Sequence, residues 1–150
     1  MQKLLMEVNF YQAAEGNLIP LIIRLLEKVF ASGMRCIFHS PLEERIRVID
    51  KTLWTFSTNS FIPHGDGSLG FCDRQPMYLT SGIENPNGAS ILMLVDTFEH
   101  KKLNNFKKAL LIFEEEERVT EAKRLCEALK NNGENVNYWE QIQKGWKKQA

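Results

Sequence analysis

The sequence has few cysteines, and their spacing does not suggest a shared site. Cys36, Cys72 and Cys126 stand singly in a chain of 150 residues. Zinc sites and disulfide frameworks use cysteines at close, regular spacings, and neither pattern is present. The sequence therefore excludes a cysteine-rich secreted scaffold. It is typical of a protein in a reducing compartment, and we expect it in the cytoplasm.

Long apolar runs and an excess of one charge are missing too. The longest apolar stretch, residues 18–26, contains Pro20 and Arg24 and is shorter than the roughly 20 residues that cross a bilayer. The N-terminus lacks the layout of a secretory signal. Lys and Arg total 19, as do Asp and Glu, so no overall field draws the chain to nucleic acid or to a membrane. We expect no membrane contact, and one domain over residues 1–150.

Glycine-rich phosphate-binding motifs are absent after every predicted strand. The turn that follows the first predicted strand, residues 12–17, has one glycine beside Glu15. Backbone amides that cradle a phosphate need close approach without added negative charge. The sequence therefore argues against a nucleotide site at this turn, and we expect no cofactor.

What the sequence does contain is an alternation of strand and helix patterns. Residues 4–11 predict a strand, and residues 18–32 predict a helix with Pro20 in its first turn and Gly33 after its last. A second strand over 35–39 leads into a capping pattern, Ser40 to Glu43, that predicts a second helix. The apolar positions that would face the core from this helix are Leu42, Ile46, Ile49 and Leu53.

The second half of the chain continues the same alternation. Strands are predicted over 76–80, 90–95, 109–113 and 135–139, and residues 98–108 predict a short helix. A last helix is predicted to start in the acidic run 114–117 and to end before Gly133, and residues 145–148 are interpreted as a tail. This order of elements predicts an α/β fold. The buried stripe of the last helix is predicted to be Val119, Ala122, Cys126 and Leu129.

One group of reactive side chains lies close together in the sequence. His64, Asp66, Cys72 and Asp73 include a thiol, an imidazole and carboxylates, the groups of a thiol nucleophile with its base and orienting acid. They also have no regular metal-ligand spacing, so we expect no metal site. A small α/β hydrolase or nucleotide-binding enzyme that uses Cys72 and His64 is therefore an alternative function. The other interpretation is a loop histidine and a packed thiol.

An aromatic stretch precedes this group. Trp54 continues the apolar series of the second predicted helix, so it belongs either to the core or to a surface. Phe61 follows Ser57, Thr58 and Asn59, where no helical or strand period would bury it. Exposed aromatic residues within a polar surround are typical of protein–protein contacts. We favour partner binding for Phe61, with core packing as the alternative.

The chain resembles the chi subunit of bacterial DNA polymerase III over essentially its whole length. The most specific part of the likeness is Leu53-Trp54 followed by Ser60-Phe61-Ile62-Pro63-His64; the other matching stretches are Phe10-Tyr11, Gln75-Pro76-Met77, Tyr138-Trp139 and Gly145-Trp146. The resemblance implies a Rossmann-like three-layer fold with a mostly parallel central sheet and no catalytic activity. It also implies that the protein is part of the polymerase III holoenzyme.

The resemblance further implies two protein partners and only indirect contact with DNA. One partner is the psi subunit of the clamp loader, and the other is the acidic C-terminal tail of single-stranded DNA-binding protein. The residues implied for psi binding are Trp54, Phe61, Ile62, Pro63 and His64. An acidic tail with an aromatic end needs a small apolar pocket ringed by cations, and the residues predicted for it are Lys123, Arg124, Lys130 and Trp139.

This chain departs from the family pattern in its last helix. The family has an arginine there, an aromatic residue three positions later and a lysine directly after it. This sequence has Lys123, Cys126 and Glu127 at those positions. Since Glu127 would repel an acidic tail, either neighbours such as Arg124 and Lys130 form the pocket, or the helix face is simply solvated.

Overall fold

The computed structural model describes residues 7–55, 64–66, 77–81, 89–98, 106–114, 118–142 and 145–148. Three helices and eight strands lie within these ranges. The helices are α1 (Leu18–Ala31), α2 (Glu43–Thr55) and α3 (Val119–Asn131). The strands are β1 (Glu7–Ala13), β2 (Cys36–His39), β3 (His64–Asp66), β4 (Met77–Thr80), β5 (Ile91–Val95), β6 (Lys108–Glu114), β7 (Asn135–Ile142) and β8 (Gly145–Lys148).

The strands of the described ranges form one sheet, in the order β3-β4-β2-β5-β6-β1-β7-β8. Every neighbouring pair is parallel except β7 and β8, which are antiparallel. The central strands are buried along almost their whole length, as expected of a sheet with helices on both faces. The predicted α/β fold with a mostly parallel sheet is confirmed.

The helices cover the two faces of the sheet separately. α1 and α2 pack against one face, here called the α1 face, in a core that includes Met93 and Ile112. α3 packs against the other, the α3 face, in a core that includes Leu111 and Tyr138. Because side chains alternate along a strand, Leu111 and Ile112 enter different cores. The three-layer arrangement predicted from the resemblance is confirmed.

The strand order explains why the helices divide in this way. The crossover from β1 through α1 to β2 runs toward the β3 edge, whereas the crossover from β6 through α3 to β7 runs toward the β8 edge. Crossovers of one hand that run in opposite directions must place their helices on opposite faces. β6 lies on the β3 side of β1, so the two crossovers pass each other on opposite faces of the sheet.

The first helix has the ends that the sequence predicts. Pro20 lies in its first turn, where the missing amide hydrogen costs nothing. Gly33 follows the last turn with φ of +79°, a conformation that glycine adopts without strain. Asn17 precedes the helix, but the cap it provides is its carbonyl, which accepts a hydrogen bond from the Leu21 amide at 3.1 Å.

The second helix begins later than the capping pattern predicts. α2 starts at Glu43, and the Ser40 hydroxyl turns away to donate to Asp96 at 2.8 Å while it accepts the Leu42 amide at 3.2 Å. Leu42 therefore lies outside the helix and is 52% exposed, so its predicted burial is wrong. The rest of the predicted stripe is buried: Ile46, Ile49 and Leu53.

The last helix also starts later than predicted. Glu114 is the final residue of β6, residues 115–117 lie outside the described residues, and α3 begins at Val119. The predicted short helix over 98–108 is not seen in its described parts, Phe98 and 106–108, and the rest of it falls outside the described residues. The buried stripe of α3 is confirmed at Ala122, Cys126 and Leu129.

Two strands were not predicted. β3 is only three residues long and contains Gly65, so it has no strand pattern to detect, and it forms by pairing with β4. β8 falls on residues 145–148, which the sequence indicated as a tail. Its four residues are all exposed, and β8 exists because it pairs with the extended end of β7.

Candidate functional site

The carboxyl ends of β1 and β6 form the place where ligands usually bind in this class of fold. The helices that follow these neighbouring strands lie on opposite faces, which opens a crevice between them. Here the Leu18 amide, at the start of α1, donates to Glu114 Oε1 at 3.3 Å. The Ala14 amide donates to Gln141 Oε1 at 3.0 Å.

These two contacts change what the crevice is able to bind. A nucleotide phosphate would need the first amides of α1, where the helix dipole favours an anion. The protein's own carboxylate, Glu114, already occupies that position, and Glu15 lies exposed in the adjoining turn. In the described crevice, a carboxylate of the protein itself therefore takes the place at the start of α1 that a phosphate would need.

The predicted psi-binding residues lie in and around the connection between α2 and β3. Phe61, Ile62 and Pro63 are outside the described residues, as are the side chains of Trp54 and His64. The backbone places Trp54 in the last turn of α2 and His64 at the start of β3. Since α2 is held on the α1 face by its buried stripe and β3 pairs with β4, both flanks of this connection are fixed at the β3 edge of the sheet.

The predicted tail-binding cations lie on the exposed surface of α3. Lys123, Arg124 and Lys130 are all exposed, and so is Glu127 between them. Positions three or four apart on a helix are neighbours, so Glu127 lies beside both Lys123 and Lys130. The charge pattern of this surface is therefore mixed, with the carboxylate in the middle of the cationic row.

Cys126, which replaces the aromatic residue of the family pattern, points inward. It is 5% exposed and belongs to the core of the α3 face. Burial raises the pKa of the Cys126 thiol; the positive charge of Lys130 lowers it and the negative charge of Glu127 raises it. Both charges thus act at this position, and the thiol itself is a packing group.

Trp139 is not brought together with these cations. Its neighbour Tyr138 enters the core of the α3 face, and alternation along β7 turns Trp139 to the α1 face. There it lies opposite Tyr11 of β1 in the sheet register, and the Lys148 ammonium lies 5.6 Å from its ring centroid. The sequence could not reveal this separation, because it depends on the register of β7.

A polar cluster that the sequence analysis missed lies at the carboxyl ends of β2 and β5. Arg45 of α2 binds Asp96 with two hydrogen bonds, of 2.9 and 3.1 Å, and Ser40 donates to the same carboxylate. Burial raises the pKa of Asp96, but the hydrogen bonds and the Arg45 and Arg118 charges outweigh it and lower the pKa below its usual value. Ser40 and Asp96 each directly follow a buried strand, which was the available signal.

The chemistry of this cluster is structural. Arg45 donates to the Asp96 carboxylate through Nε and Nη2, so its charge is neutralised within the protein. His39 Nδ1 lies 3.2 Å from the Thr80 carbonyl oxygen, and the Ser40 hydroxyl donates to a carboxylate. The Ser40 hydroxyl proton is thus directed to Asp96, whereas a serine hydrolase directs it to a histidine.

The alternative enzyme site falls largely outside the described residues. Cys72 and Asp73 are outside them, and His64 and Asp66 are described only as backbone of β3. The free cysteines within the described ranges, Cys36 and Cys126, are buried, and burial raises the pKa of Cys36 to about 12. Among the described residues no group of three His, Cys, Asp or Glu side chains is placed to hold a metal ion, and no helix is long and apolar enough to cross a membrane.

Comparison with known proteins identifies relatives that span most of the chain. The sequence model of the family described as DNA polymerase III chi subunit, HolC, matches residues 5–137. A protein of Rickettsia prowazekii (strain Madrid E), described as a probable DNA polymerase III subunit chi, is 28% identical over 111 residues. That match covers 74% of this chain and 67% of the relative.

Proposed function

The chain belongs to the DNA polymerase III chi subunit family, whose members are accessory subunits without catalytic activity of their own, and we propose that it links the clamp loader to single-stranded DNA-binding protein. In this function it binds the psi subunit on one side and the acidic C-terminal tail of single-stranded DNA-binding protein on the other. It works in the cytoplasm and meets DNA only through these partners.

The observation that carries this proposal is the extent of the family match. Residues 5–137 include the aromatic stretch around Phe61 and the whole of α3, the two regions that the proposal assigns to partners. The crevice between β1 and β6 supports the same conclusion, because Glu114 fills the position that a nucleotide phosphate would take. We therefore infer that the fold is a scaffold that positions two partner-binding surfaces.

For psi, we assign the surface that contains Trp54, Phe61, Ile62, Pro63 and His64. Its flanks support the assignment, because a helix packed on the α1 face and a paired strand hold the two ends of the connection. A recognition segment with fixed ends loses less conformational entropy when it binds, so more of its contact energy appears as affinity.

For the acidic tail, we assign the exposed face of α3. Lys123, Arg124 and Lys130 place three cations on that face, and charge-assisted bonds to carboxylates position such a peptide. Trp139, which the sequence analysis also predicted for tail binding, lies on the opposite face of the sheet from α3. Glu127 weakens the site relative to the family pattern.

The function is tested by capture from an extract of the source cells. The tagged chain should retain clamp-loader subunits and single-stranded DNA-binding protein, identified by mass spectrometry. A bridging assay then separates the two contacts: psi should be held on DNA coated with single-stranded DNA-binding protein only when this chain is added. Retention of neither partner at low salt would overturn the proposal.

A further inference from the structure

The last strand leaves an open sheet edge that none of the surfaces assigned above uses. β8 pairs with β7 on one side, and no strand of the described ranges pairs with its other side. All four of its residues are exposed. An edge of this kind presents backbone amides and carbonyls in the pattern that an added strand requires.

The α1 face of this edge carries aromatic and cationic groups. The Tyr11 and Trp146 rings meet edge to face, with centroids 5.7 Å apart, and Trp146 remains 36% exposed. The register places Lys148 opposite Trp139, so Lys148 shares the face of Trp146. An incoming strand would therefore meet an indole and an ammonium on the same side.

The charges of β8 decide among possible occupants. The strand carries Lys147 and Lys148 and no acidic residue. A second copy of this chain would bring the same two lysines to the same edge, and like charges on paired strands are destabilising. An acidic strand would instead be attracted to both lysines, although Lys147 already lies opposite Glu140 of β7 in the sheet register.

Single-stranded nucleic acid fits this edge less well. It needs a basic groove along several phosphates and free aromatic faces for stacking. The edge offers only two lysines among the four residues of β8, and the Tyr11 ring already lies against Trp146. These groups favour a short acidic peptide over a polyanion.

We propose that β8 is a docking edge for an extended, acidic segment of a partner protein, which pairs with Gly145–Lys148 as a further strand of the sheet. One side of that segment packs an apolar residue against Trp146, and its carboxylates pair with Lys147 and Lys148. This contact is separate from the tail site on α3, because α3 lies on the opposite face of the sheet from Trp146.

The test uses a fluorescein-labelled peptide that, when extended, carries a phenylalanine and an aspartate two positions apart on one face and aspartate on the other face. Binding to the full chain is measured by fluorescence anisotropy at low salt. The double variant Lys147→Glu/Lys148→Glu should weaken binding roughly tenfold, since each exposed pair is worth a factor of about two to five and reversal adds repulsion. The matched double variant on α2, Arg47→Glu/Lys51→Glu, makes the same change in net charge at exposed positions that belong to no assigned surface, and it should leave this peptide's affinity unchanged. The α3 double variant, Lys123→Glu/Lys130→Glu, reports any binding of the peptide to the proposed tail site.

Backbone pairing is tested by N-methylation of the peptide. Only alternate amides of an added strand donate to the edge, so methyl groups in one register should abolish binding, whereas methyl groups in the other register should leave it intact. Equal loss in both registers would show that the peptide does not bind as a strand.

Two other outcomes would overturn the proposal. Loss of binding in the α3 variant but not in the β8 variant would assign the acidic peptide to α3. Tighter binding of a short oligothymidylate than of the peptide, lost in the β8 variant, would make the edge a nucleic-acid surface. The bridging assay does not depend on β8. A negative bridging result would therefore count against the proposed function and not against peptide binding at β8.

Discussion

At the scale of single residues, Asp96 is held in a backbone conformation that is uncommon outside glycine. Its φ is +67°, in the left-handed region where aspartate and asparagine are the better tolerated side chains. The hydrogen bonds from Ser40 and Arg45 hold it there. Since both donors flank the start of α2, this carboxylate fixes where that helix meets the sheet.

The Asp96→Asn variant should therefore be less stable than the wild type. The substitution keeps the shape of the side chain but removes the negative charge that accepts two hydrogen bonds from the Arg45 guanidinium. This change should lower the free energy of unfolding by about 1–3 kcal/mol. Urea unfolding followed by circular dichroism measures the difference. Glu44→Gln is the matched control, because it makes the same kind of change at an exposed carboxylate of α2, and it should change the free energy of unfolding little. An equal loss in both variants would contradict the assignment.

The contribution of Asp96 should also appear in the pH dependence of the free energy of unfolding. The pKa of Asp96 is lower in the folded protein than its ordinary value of 3.8, so its contribution is complete above that value and is lost as the pH falls through the lower, folded pKa. Between about pH 7 and pH 3, the stability gap between the wild type and Asp96→Asn should narrow only at the acid end. A gap that narrows near neutral pH would point to another group.

Residue roles could be predicted where one helix or strand decides them. The buried stripe of α3 follows from helical spacing alone, and Ala122, Cys126 and Leu129 are buried as expected. Trp139 and Asp96 depend on how distant strands are aligned, which spacing along the chain does not encode. Leu42 was misplaced because the Ser40 hydroxyl bonds to Asp96, 56 residues away.

At the scale of elements, the connection from α2 to β3 carries the predicted psi contact. Phe61→Ala should cost roughly 2 kcal/mol or more of affinity for psi with little change in stability, as expected of an exposed aromatic residue at an interface. Trp54→Ala should reduce both quantities, because the sequence predicts that Trp54 continues the apolar series of α2 and also belongs to the psi surface. Isothermal titration and thermal unfolding of the same samples measure them.

Leu53→Ala is the control for this prediction. Leu53 is 3% exposed in the core of the α1 face, so its truncation should lower stability by about 2–5 kcal/mol. It should leave psi affinity unchanged below the unfolding temperature. If Phe61→Ala loses as much stability as Leu53→Ala, Phe61 belongs to the core.

The charge order of α3 leads to a prediction about the acidic tail. Glu127→Lys should strengthen binding of a peptide ending in Asp-Asp-Asp-Ile-Pro-Phe by a factor of about two to five, because it replaces repulsion by attraction at an exposed position. Lys123→Ala should weaken binding, and salt should reduce both effects, since the Debye length is about 10 Å at 0.1 M. Anisotropy titrations at two salt concentrations measure this.

Glu44→Lys controls for the overall change in charge. It makes the same substitution at an exposed position of α2, on the other side of the sheet. If Glu44→Lys strengthens tail binding as much as Glu127→Lys does, the peptide responds to the overall charge of the protein. The exposed face of α3 is then an ordinary solvated surface and not the binding site.

Elements could be predicted where their own pattern is strong. α1 has an apolar stripe, a proline in its first turn and a glycine after its last, and its observed bounds agree with the sequence. β3 and β8 were missed because each is short and exists through pairing with a neighbour. The acidic run before α3 was assigned to the helix because glutamates suit a helix N-terminus, yet Glu114 ends β6 and serves α1 instead.

At the scale of the whole molecule, the strand order separates the proposed surfaces. β3 is the strand at one edge of the sheet, and α2 lies near it on the α1 face. α3 lies on the opposite face, against β7 and its neighbour β1. This division follows from the opposite directions of the crossovers that leave β1 and β6, so it is a property of the topology. An adaptor with this topology is able to hold two partners without contact between them.

Binding of the two partners should therefore be independent. The affinity of the tail peptide should agree within about twofold for the free chain and for the chain saturated with psi, which corresponds to a coupling free energy near zero. Reciprocity requires the same factor when psi is titrated into the peptide-bound chain. Phe61→Ala should lower the affinity for psi without changing the affinity for the peptide. Glu127→Lys should raise the affinity for the peptide without changing the affinity for psi. A shared change of tenfold or more would show that the sheet transmits binding from one face to the other, because no described side chain of α3 shares a core with α2.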